Sequence, residues 1–239
     1  MINLFDDNYF MRRALDEAKI ALQKDEVPVG AVIVSNNQII ARSHNLTETL
    51  NDVTAHAEMQ CITSAASYLG GKYLKDCVLY VTLEPCNHTG STPPCTEAII
   101  DAEFARVVIS MRDPHEVASG GVERLRAAGI DVDLDVLGKD VQFSNRSWLH
   151  KIHTGRPRMI WKVAVSADGK IAVGDGSPTW ISSEESRTDV QILRGQSDAI
   201  LIGTGTALAD NPHLIPRNVS VGKNPDRIVV GLRDIPSTH

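Results

Sequence analysis

The chain has 239 residues, of which 42% are hydrophobic and 23% charged, which is the composition of an ordinary globular protein of one or two domains. Its net charge is −6 at pH 7, and the acidic excess lies in residues 1–138, so the first half lacks the basic surface expected of a nucleic-acid-binding protein. The sequence has neither an apolar run long enough to span a membrane nor the basic and apolar regions of a secretory leader. We therefore expect a cytoplasmic protein that makes no membrane contact.

Hydrophobic periodicity in the first half alternates between the patterns of helices and strands. Apolar residues three and four apart predict helices, and short β-branched runs predict strands. The predicted helices cover 8–23, 57–69, 95–102 and 122–128, and the predicted strands cover 29–34, 38–42, 78–83, 106–111 and 131–137. This order predicts an α/β fold in which a mixed sheet carries helices on both faces.

A domain boundary is predicted near residues 138–158, where Gly138, Gly155 and Pro157 interrupt the pattern. We place the first domain over 1–145 and the second over 146–239. The second domain is predicted to hold strands over 159–165, 199–202 and 227–230, a helix over 183–194, a loop over 203–206 and a turn-like tail over 236–239. So few elements predict a partial domain.

Four residues of the first domain form the pattern of a catalytic zinc site. His56 and Cys95 each lie at the predicted start of a helix, and Cys86 follows Pro85 after a predicted strand. One imidazole and two thiolates supply three zinc ligands and leave the fourth position for water. Glu58, two residues beyond His56, can face that water without binding the metal and can carry its proton to a leaving amine. The alternative is a metal-free core with a buried histidine and two buried thiols.

The spacing of the two cysteines departs from the usual signature of zinc nucleobase deaminases. That signature is His-x-Glu followed by Pro-Cys-x-x-Cys. Thr89 occupies the place of the second cysteine and is a poor substitute for a thiolate. We therefore predict that Cys95 is the third ligand and that the loop between the two cysteines is unusually long.

Residues 84–239 resemble the bifunctional riboflavin-biosynthesis deaminase/reductase. The resemblance rests on the wide loop EPCNHTGSTPPC at 84–95 and on downstream motifs in the same order, namely KVAVSADGK at 162–170, TWIS at 179–182, Leu193-Arg194, GTALADNP at 205–212 and Arg217. It implies a cytidine-deaminase-like α/β/α sandwich followed by a partial, dihydrofolate-reductase-like α/β domain. It also implies a homo-oligomer.

In that family the first domain deaminates a pyrimidine that carries a ribosyl phosphate, and the second reduces the ribose with NADPH. The resemblance therefore implies NADPH contacts at Ala164, Trp180, Thr206 and Asp210, and substrate contacts at Arg194, Leu214 and Arg217. His88 of the wide loop is a further candidate for substrate binding. Structural alternatives remain for three of these residues: loop packing for His88, a helix-end charge for Arg194 and a core position for Trp180.

Residues 1–86 instead resemble the tRNA-specific adenosine deaminase. The matching segments are VPVGAVIV at 27–34, His44-Asn45-Leu46, TAHAEM at 54–59 and GGKYL at 70–74. The resemblance implies that Asn45, which lies 11 residues before His56, lines the base pocket; the alternative is a turn residue. The two resemblances meet at YVTLEPC over 80–86, and we infer a hybrid chain, natural or engineered.

Our primary prediction is zinc-dependent hydrolytic deamination of a diaminohydroxy-phosphoribosylaminopyrimidine in riboflavin biosynthesis. Behind it we expect a truncated 5-amino-6-(5-phosphoribosylamino)uracil reductase module in which NADPH-dependent hydride transfer is weak or absent. The alternative function is adenosine-to-inosine deamination in tRNA, and only this alternative requires an RNA partner. A second alternative is an inactive scaffold that binds zinc.

Overall fold

The computed structural model describes residues 5–89, 93–174, 180–219 and 223–236. The chain divides into two compact units, Met1–Arg158 and Met159–His239, which are described separately. The domain boundary at 145/146 stays a prediction; the segment that follows it, up to Arg158, is part of the first unit. No helix among the described residues is long and apolar enough to cross a membrane.

The first unit is built on a five-stranded sheet in the order β2-β1-β3-β4-β5. Strand β1 runs antiparallel to both of its neighbours, β2 and the central strand β3, whereas β3, β4 and β5 are parallel. The strands are β1 Gly30–Ser35, β2 Gln38–His44, β3 Cys77–Leu83, β4 Arg106–Met111 and β5 Asp131–Asp133. The helices are α1 Asp7–Gln23, α2 Ala57–Leu69, α3 Cys95–Asp101, α4 Gly121–Ala127, α5 Gly138–Ser144 and α6 Arg146–Thr154.

Alternate residues of the strands face different helices. Ala31 and Ile33 of β1 lie in one apolar cluster with Cys61 of α2, whereas Val32 belongs to a second cluster with Met11 of α1. Because successive side chains of a strand point to opposite faces, α1 and α2 cover opposite faces of the sheet. The predicted α/β/α sandwich is therefore confirmed.

One edge of this sheet collects the chain segments that form the site. In the register of the sheet, Leu83 at the end of β3 pairs with Met111 at the end of β4. Gly30 at the start of β1 pairs with His44 at the end of β2, and it also donates its N–H to Thr82 Oγ1 at 3.0 Å. The residues that follow β2, β3 and β4 therefore lie at the same edge.

One expectation for the first unit was wrong in detail, and two helices there were not predicted. The predicted strand over 131–137 ends at Asp133, because Asp135 and Leu137 adopt left-handed backbone conformations that a strand cannot include. The predicted break over 138–158 contains α5 and α6. Asn145, which joins these two helices, is buried and donates from Nδ2 to the carbonyl oxygen of Pro28 at 3.2 Å.

The described part of the second unit contains α7 Glu184–Gly195, β6 Ala199–Gly203, α8 Thr204–Asp210 and β7 Asp226–Val230. The predicted helix over 183–194 and the strands over 199–202 and 227–230 are confirmed. The expected loop over 203–206 was wrong, since α8 begins at Thr204. The expected strand over 159–165 was also wrong: no described strand pairs with it, and the side chain of Trp161 is 89% exposed.

The second unit has few buried side chains among its described residues. They are Thr204, Ala207, Leu214 and Pro225. The strands β6 and β7 form a parallel pair, yet every residue of β7 is exposed. Parallel strands are normally covered on both faces, so this pair lacks the surroundings in which such strands usually occur.

Candidate zinc site and active site

The three predicted zinc ligands are held by three different elements. His56 immediately precedes α2, Cys95 is the first residue of α3, and Cys86 follows the end of β3 by three residues. All three lie at the edge of the sheet described above. Helix starts favour a thiolate because the helix dipole is positive there, and this applies to Cys95.

The ligand atoms of these residues converge within 4.8 Å of one another. His56 Nδ1 lies 3.3 Å from Cys95 Sγ and 3.8 Å from Cys86 Sγ. Tetrahedral coordination at ordinary Zn–N and Zn–S bond lengths separates nitrogen and sulfur ligands by about 3.5 Å. The three residues therefore fit a zinc ion, with His56 binding through Nδ1.

The two thiols are not equally acidic. Hydrogen bonds with Cys95 and His56 together lower the pKa of Cys86 to about 4, although burial acts in the opposite direction. The same contact with Cys86, together with burial, raises the pKa of Cys95. Two thiolates this close repel each other, and a divalent cation removes that cost by pairing with both.

Glu58 is buried in the first turn of α2, with its residue only 4% exposed. Burial raises the pKa of Glu58 to about 7, although the positive charge of His56 acts in the opposite direction. A hydrogen bond with Cys86 raises the pKa of His56. A carboxyl group with a pKa near neutrality can both take up and release a proton, which is the property of a general acid–base.

Asn45 is hydrogen-bonded to the residue that follows His56, and its role in the base pocket stays a prediction. Its side-chain Oδ1 accepts a hydrogen bond from the N–H of Ala57 at 2.9 Å. The residue is buried, and its side-chain Nδ2 has no hydrogen-bond acceptor among the described residues. Asn45 therefore stabilises the start of α2 and leaves one donor group unused.

His88 is exposed in the loop that follows Cys86, so packing inside the loop does not account for it. Residues 90–92 of the wide loop lie outside the described residues. So do Thr179 of the second-unit motif and residues 237–239 of the predicted tail. The role of His88 stays a prediction.

Sequence reasoning missed two carboxylates at this edge, Glu84 and Asp113. Glu84 is buried and accepts hydrogen bonds from the backbone N–H groups of Asp113 and Val122. Burial raises the pKa of Asp113, and Cys86 and Glu84 raise it further. The signal was available for Asp113, because it follows β4 by two residues and the ends of adjacent parallel strands meet at one sheet edge.

Two of the three predicted substrate residues of the second unit, Arg194 and Arg217, lie close together. Burial and the nearby charge of Arg217 lower the pKa of Arg194, which lies in the last turn of α7. The backbone N–H of Arg217 donates to Gln191 Oε1 at 3.0 Å, which holds it beside α7. Leu214 is buried. Two guanidinium groups that repel each other are suited to share an anion.

The predicted NADPH residues are spread over three segments. Thr206 and Asp210 lie one turn apart on α8, Trp180 is 76% exposed beneath the Arg187 guanidinium at 4.5 Å, and Ala164 lies in an irregular segment. Their assignment to NADPH binding stays a prediction.

Comparison with known families assigns both halves of the chain. The zinc-binding region of cytidine and deoxycytidylate deaminases matches residues 5–111, and the RibD C-terminal domain matches residues 157–239. Riboflavin biosynthesis protein RibD from Mycobacterium tuberculosis is 45% identical over 213 residues, which are 87% of this chain and 60% of that protein. The chain is therefore similar to RibD proteins along most of its length. It spans about 60% of the length of the curated RibD proteins that it matches.

A solved RibD structure covers nearly all of the chain. The diaminohydroxyphosphoribosylaminopyrimidine deaminase/5-amino-6-(5-phosphoribosylamino)uracil reductase of Thermotoga maritima superimposes with a TM-score of 0.80 at 38% identity, over 93% of this chain and 62% of that one. The likeness to RibD therefore extends into residues 1–86, farther than the motifs indicated.

The same first unit also resembles a deaminase that acts on RNA. A structure from a study of A-to-I editing by tRNA:A34 deaminases is 39% identical, covers 57% of this chain and 98% of that one, and has a TM-score of 0.51. Guanine deaminase structures at about 20% identity share the fold alone. The hybrid origin of the chain stays a prediction.

Proposed function

We propose that this chain hydrolytically deaminates an aminopyrimidine that carries a ribosyl phosphate. The observation that carries the proposal is the convergence of His56, Cys86 and Cys95 beside the buried Glu58. The similarity to RibD proteins supports the substrate class.

The side chains divide the work of the reaction. Zinc, when bound by His56, Cys86 and Cys95, would polarise a water molecule and lower its pKa toward neutrality. Glu58 accepts the proton that the water loses on attack and delivers it to the leaving amine, so that a carbonyl and ammonia are formed. Asn45 offers its unused Nδ2 donor to an acceptor atom of the base, and His88 contributes at the open side of the site.

The second unit corresponds to the proposed reductase module, whose activity is distinct from deamination. Arg194 and Arg217 are suited to bind a sugar phosphate through their N–H groups. Our expectation that hydride transfer from NADPH is weak or absent stays a prediction. Homo-oligomerisation and a cytoplasmic location stay predictions.

A second candidate function is adenosine deamination in tRNA. Asn45 and the 39% identity with the A-to-I editing deaminase favour it. The acidic excess of residues 1–138 opposes it, because binding to RNA phosphates requires basic surface.

The test is ammonia release by the zinc-loaded protein, measured side by side on the riboflavin-pathway aminopyrimidine and on a tRNA anticodon stem-loop. Glu58→Gln serves as the control, since it removes the proton carrier and leaves the three ligands in place. Turnover of the pyrimidine alone supports the proposal. Turnover of the RNA alone refutes it in favour of the second candidate.

Two further results complete the test. Full zinc occupancy without ammonia from either substrate would identify an inactive zinc scaffold. NADPH oxidation is followed in the same preparation with the deaminated product as substrate, and robust turnover there would contradict the expected weak hydride transfer.

A further inference from the structure

Glu84 is a buried carboxylate at the end of β3 that takes no part in the proposed chemistry. The residue is 2% exposed. Its Oε1 accepts the N–H of Val122 at 2.8 Å, and its Oε2 accepts the N–H of Asp113 at 3.1 Å. The guanidinium of Arg112 lies 3.9 Å away. Both oxygens are therefore engaged by protein groups.

These two N–H groups belong to separate elements. Val122 lies in the first turn of α4, whose early N–H groups have no partner inside the helix, and Asp113 follows β4. Glu84 directly follows β3 and lies two residues before Cys86. One side chain thus joins β3, β4 and α4 directly beside a zinc ligand.

Neighbouring backbone contacts allow little room for this junction to shift. A Cβ atom on Gly121 would lie 2.2 Å from the carbonyl oxygen of Pro85, so α4 approaches the Glu84-Pro85-Cys86 segment as closely as a glycine permits. The N–H of Asn87 donates to the carbonyl oxygen of Ala118 at 3.0 Å. Cys86 is therefore held from both sides by the segment that leads into α4.

We infer that Glu84 is a positioning residue for zinc: its two hydrogen bonds fix the backbone that carries Cys86 and so set the distance between Cys86 Sγ and His56 Nδ1. The inference rests on the proposed zinc site, but it concerns metal affinity rather than turnover. Groups that orient metal ligands from outside the coordination sphere commonly contribute about 10- to 100-fold to affinity.

The test is Glu84→Gln, an isosteric change. Glutamine has a single acceptor oxygen, so one of the two N–H groups would face an NH₂ group instead. We expect zinc to be lost to a competing chelator at about tenfold lower chelator concentration. The visible absorption of the Co²⁺-substituted protein should shift as well, because it reports the geometry of the ligands.

The matched control is Glu123→Gln. Glu123 is exposed and pairs with the same Arg112 at 2.9 Å, but it accepts no hydrogen bond from the Asp113 or Val122 backbone. This variant should keep wild-type zinc affinity and cobalt spectrum. Equal zinc affinity and equal cobalt spectra for Glu84→Gln and wild type would overturn the inference.

A measurement on the unchanged chain covers the case in which Glu84→Gln does not fold. Because linkage is reciprocal, zinc must stabilise the contacts that stabilise its own binding. Zinc loading should therefore slow hydrogen exchange of the Asp113 and Val122 amides, and leave unchanged that of Asp131, whose amide bonds to Ala105 at the opposite edge of the sheet. Unchanged exchange at Asp113 and Val122 would refute the inference. If zinc slows exchange at Asp113 and Val122 but the protein releases no ammonia, only the proposed function is refuted.

Discussion

The side-chain oxygen of Asn45 accepts the N–H of Ala57 at 2.9 Å and so ties the end of β2 to the first turn of the helix that follows His56. The N–H of Leu46 donates to the carbonyl oxygen of Ala55 at 2.9 Å and closes the intervening loop at its base. The loop before the zinc site is therefore shaped by the protein before any substrate arrives.

Replacing Asn45 by alanine should lower the free energy of unfolding by about 1 kcal/mol, because the N–H of Ala57 loses its acceptor in a buried place. Urea denaturation of the zinc-loaded protein measures this loss. Gln38→Ala, an exposed change at the start of the same strand, should be neutral. Equal denaturation midpoints for Asn45→Ala and the wild type would show that the hydrogen bond contributes nothing to stability.

Replacing Cys95 by alanine should abolish stoichiometric zinc binding, because only two of the three protein ligands are left. Metal analysis after dialysis against a weak chelator gives the zinc content per chain. Cys61→Ala is the matched control: this thiol is also buried, but it lies in the core beside Ala31 and not at the ligand cluster. Zinc retained by Cys95→Ala at the level of the control would contradict the assignment.

Glu26 should make the fold sensitive to acid. Burial raises the pKa of Glu26, but the N–H groups of Thr49 and Glu48 and the Thr47 hydroxyl lower it more strongly, to below its ordinary value of 4.5. Since the folded pKa is depressed, Glu26 stabilises the fold above pH 4.5, and this contribution is lost as the pH falls through the folded pKa.

Urea denaturation at neutral pH and at about pH 3 should therefore show a smaller acid-induced loss of stability in Glu26→Gln than in the wild type. The exposed Glu48→Gln variant should behave like the wild type. An identical pH dependence in Glu26→Gln would exclude a stabilising role for the charge of Glu26.

Gly30→Ala should destabilise the first unit by about 1–3 kcal/mol through overpacking. A Cβ atom at Gly30 would lie 2.1 Å from the carbonyl oxygen of Ala14, on the backbone of α1, which cannot move like a flexible side chain. Gly71→Ala is the control, since nothing lies within 4 Å of its Cβ position. Thermal unfolding of both variants tests this prediction. Equal melting temperatures would mean that α1 moves to make room for the new methyl group without loss of stability.

Local patterns predicted α1 to α4 and β1 to β5, because apolar residues three and four apart indicate helices and short β-branched runs indicate strands. The helix over 57–69 was placed to the residue, since His56 precedes it and Gly70 ends it in a left-handed conformation. The helices α5 and α6 were not predicted, because Gly138, which begins α5, and Gly155, which follows α6, interrupt the periodicity. Periodicity does not tell a glycine that ends a helix from one that separates domains.

Contacts between distant segments were beyond local patterns. The residues over 159–165 have the composition of a strand, but a strand also needs a neighbour, which its own sequence does not specify. Likewise the zinc ligands were recognisable by type and spacing, whereas Glu84 gains its role only when Val122, 38 residues later, is brought beside it.

Cys86 and Cys95 are each anchored by an element of their own, one behind β3 and the other at the start of α3. The stretch between them supplies no ligand from its described residues. The distance between the two sulfur atoms is therefore set by β3 and α3, and changes in the chain beyond Asn87 and before Cys95 would remove no zinc ligand among the described residues.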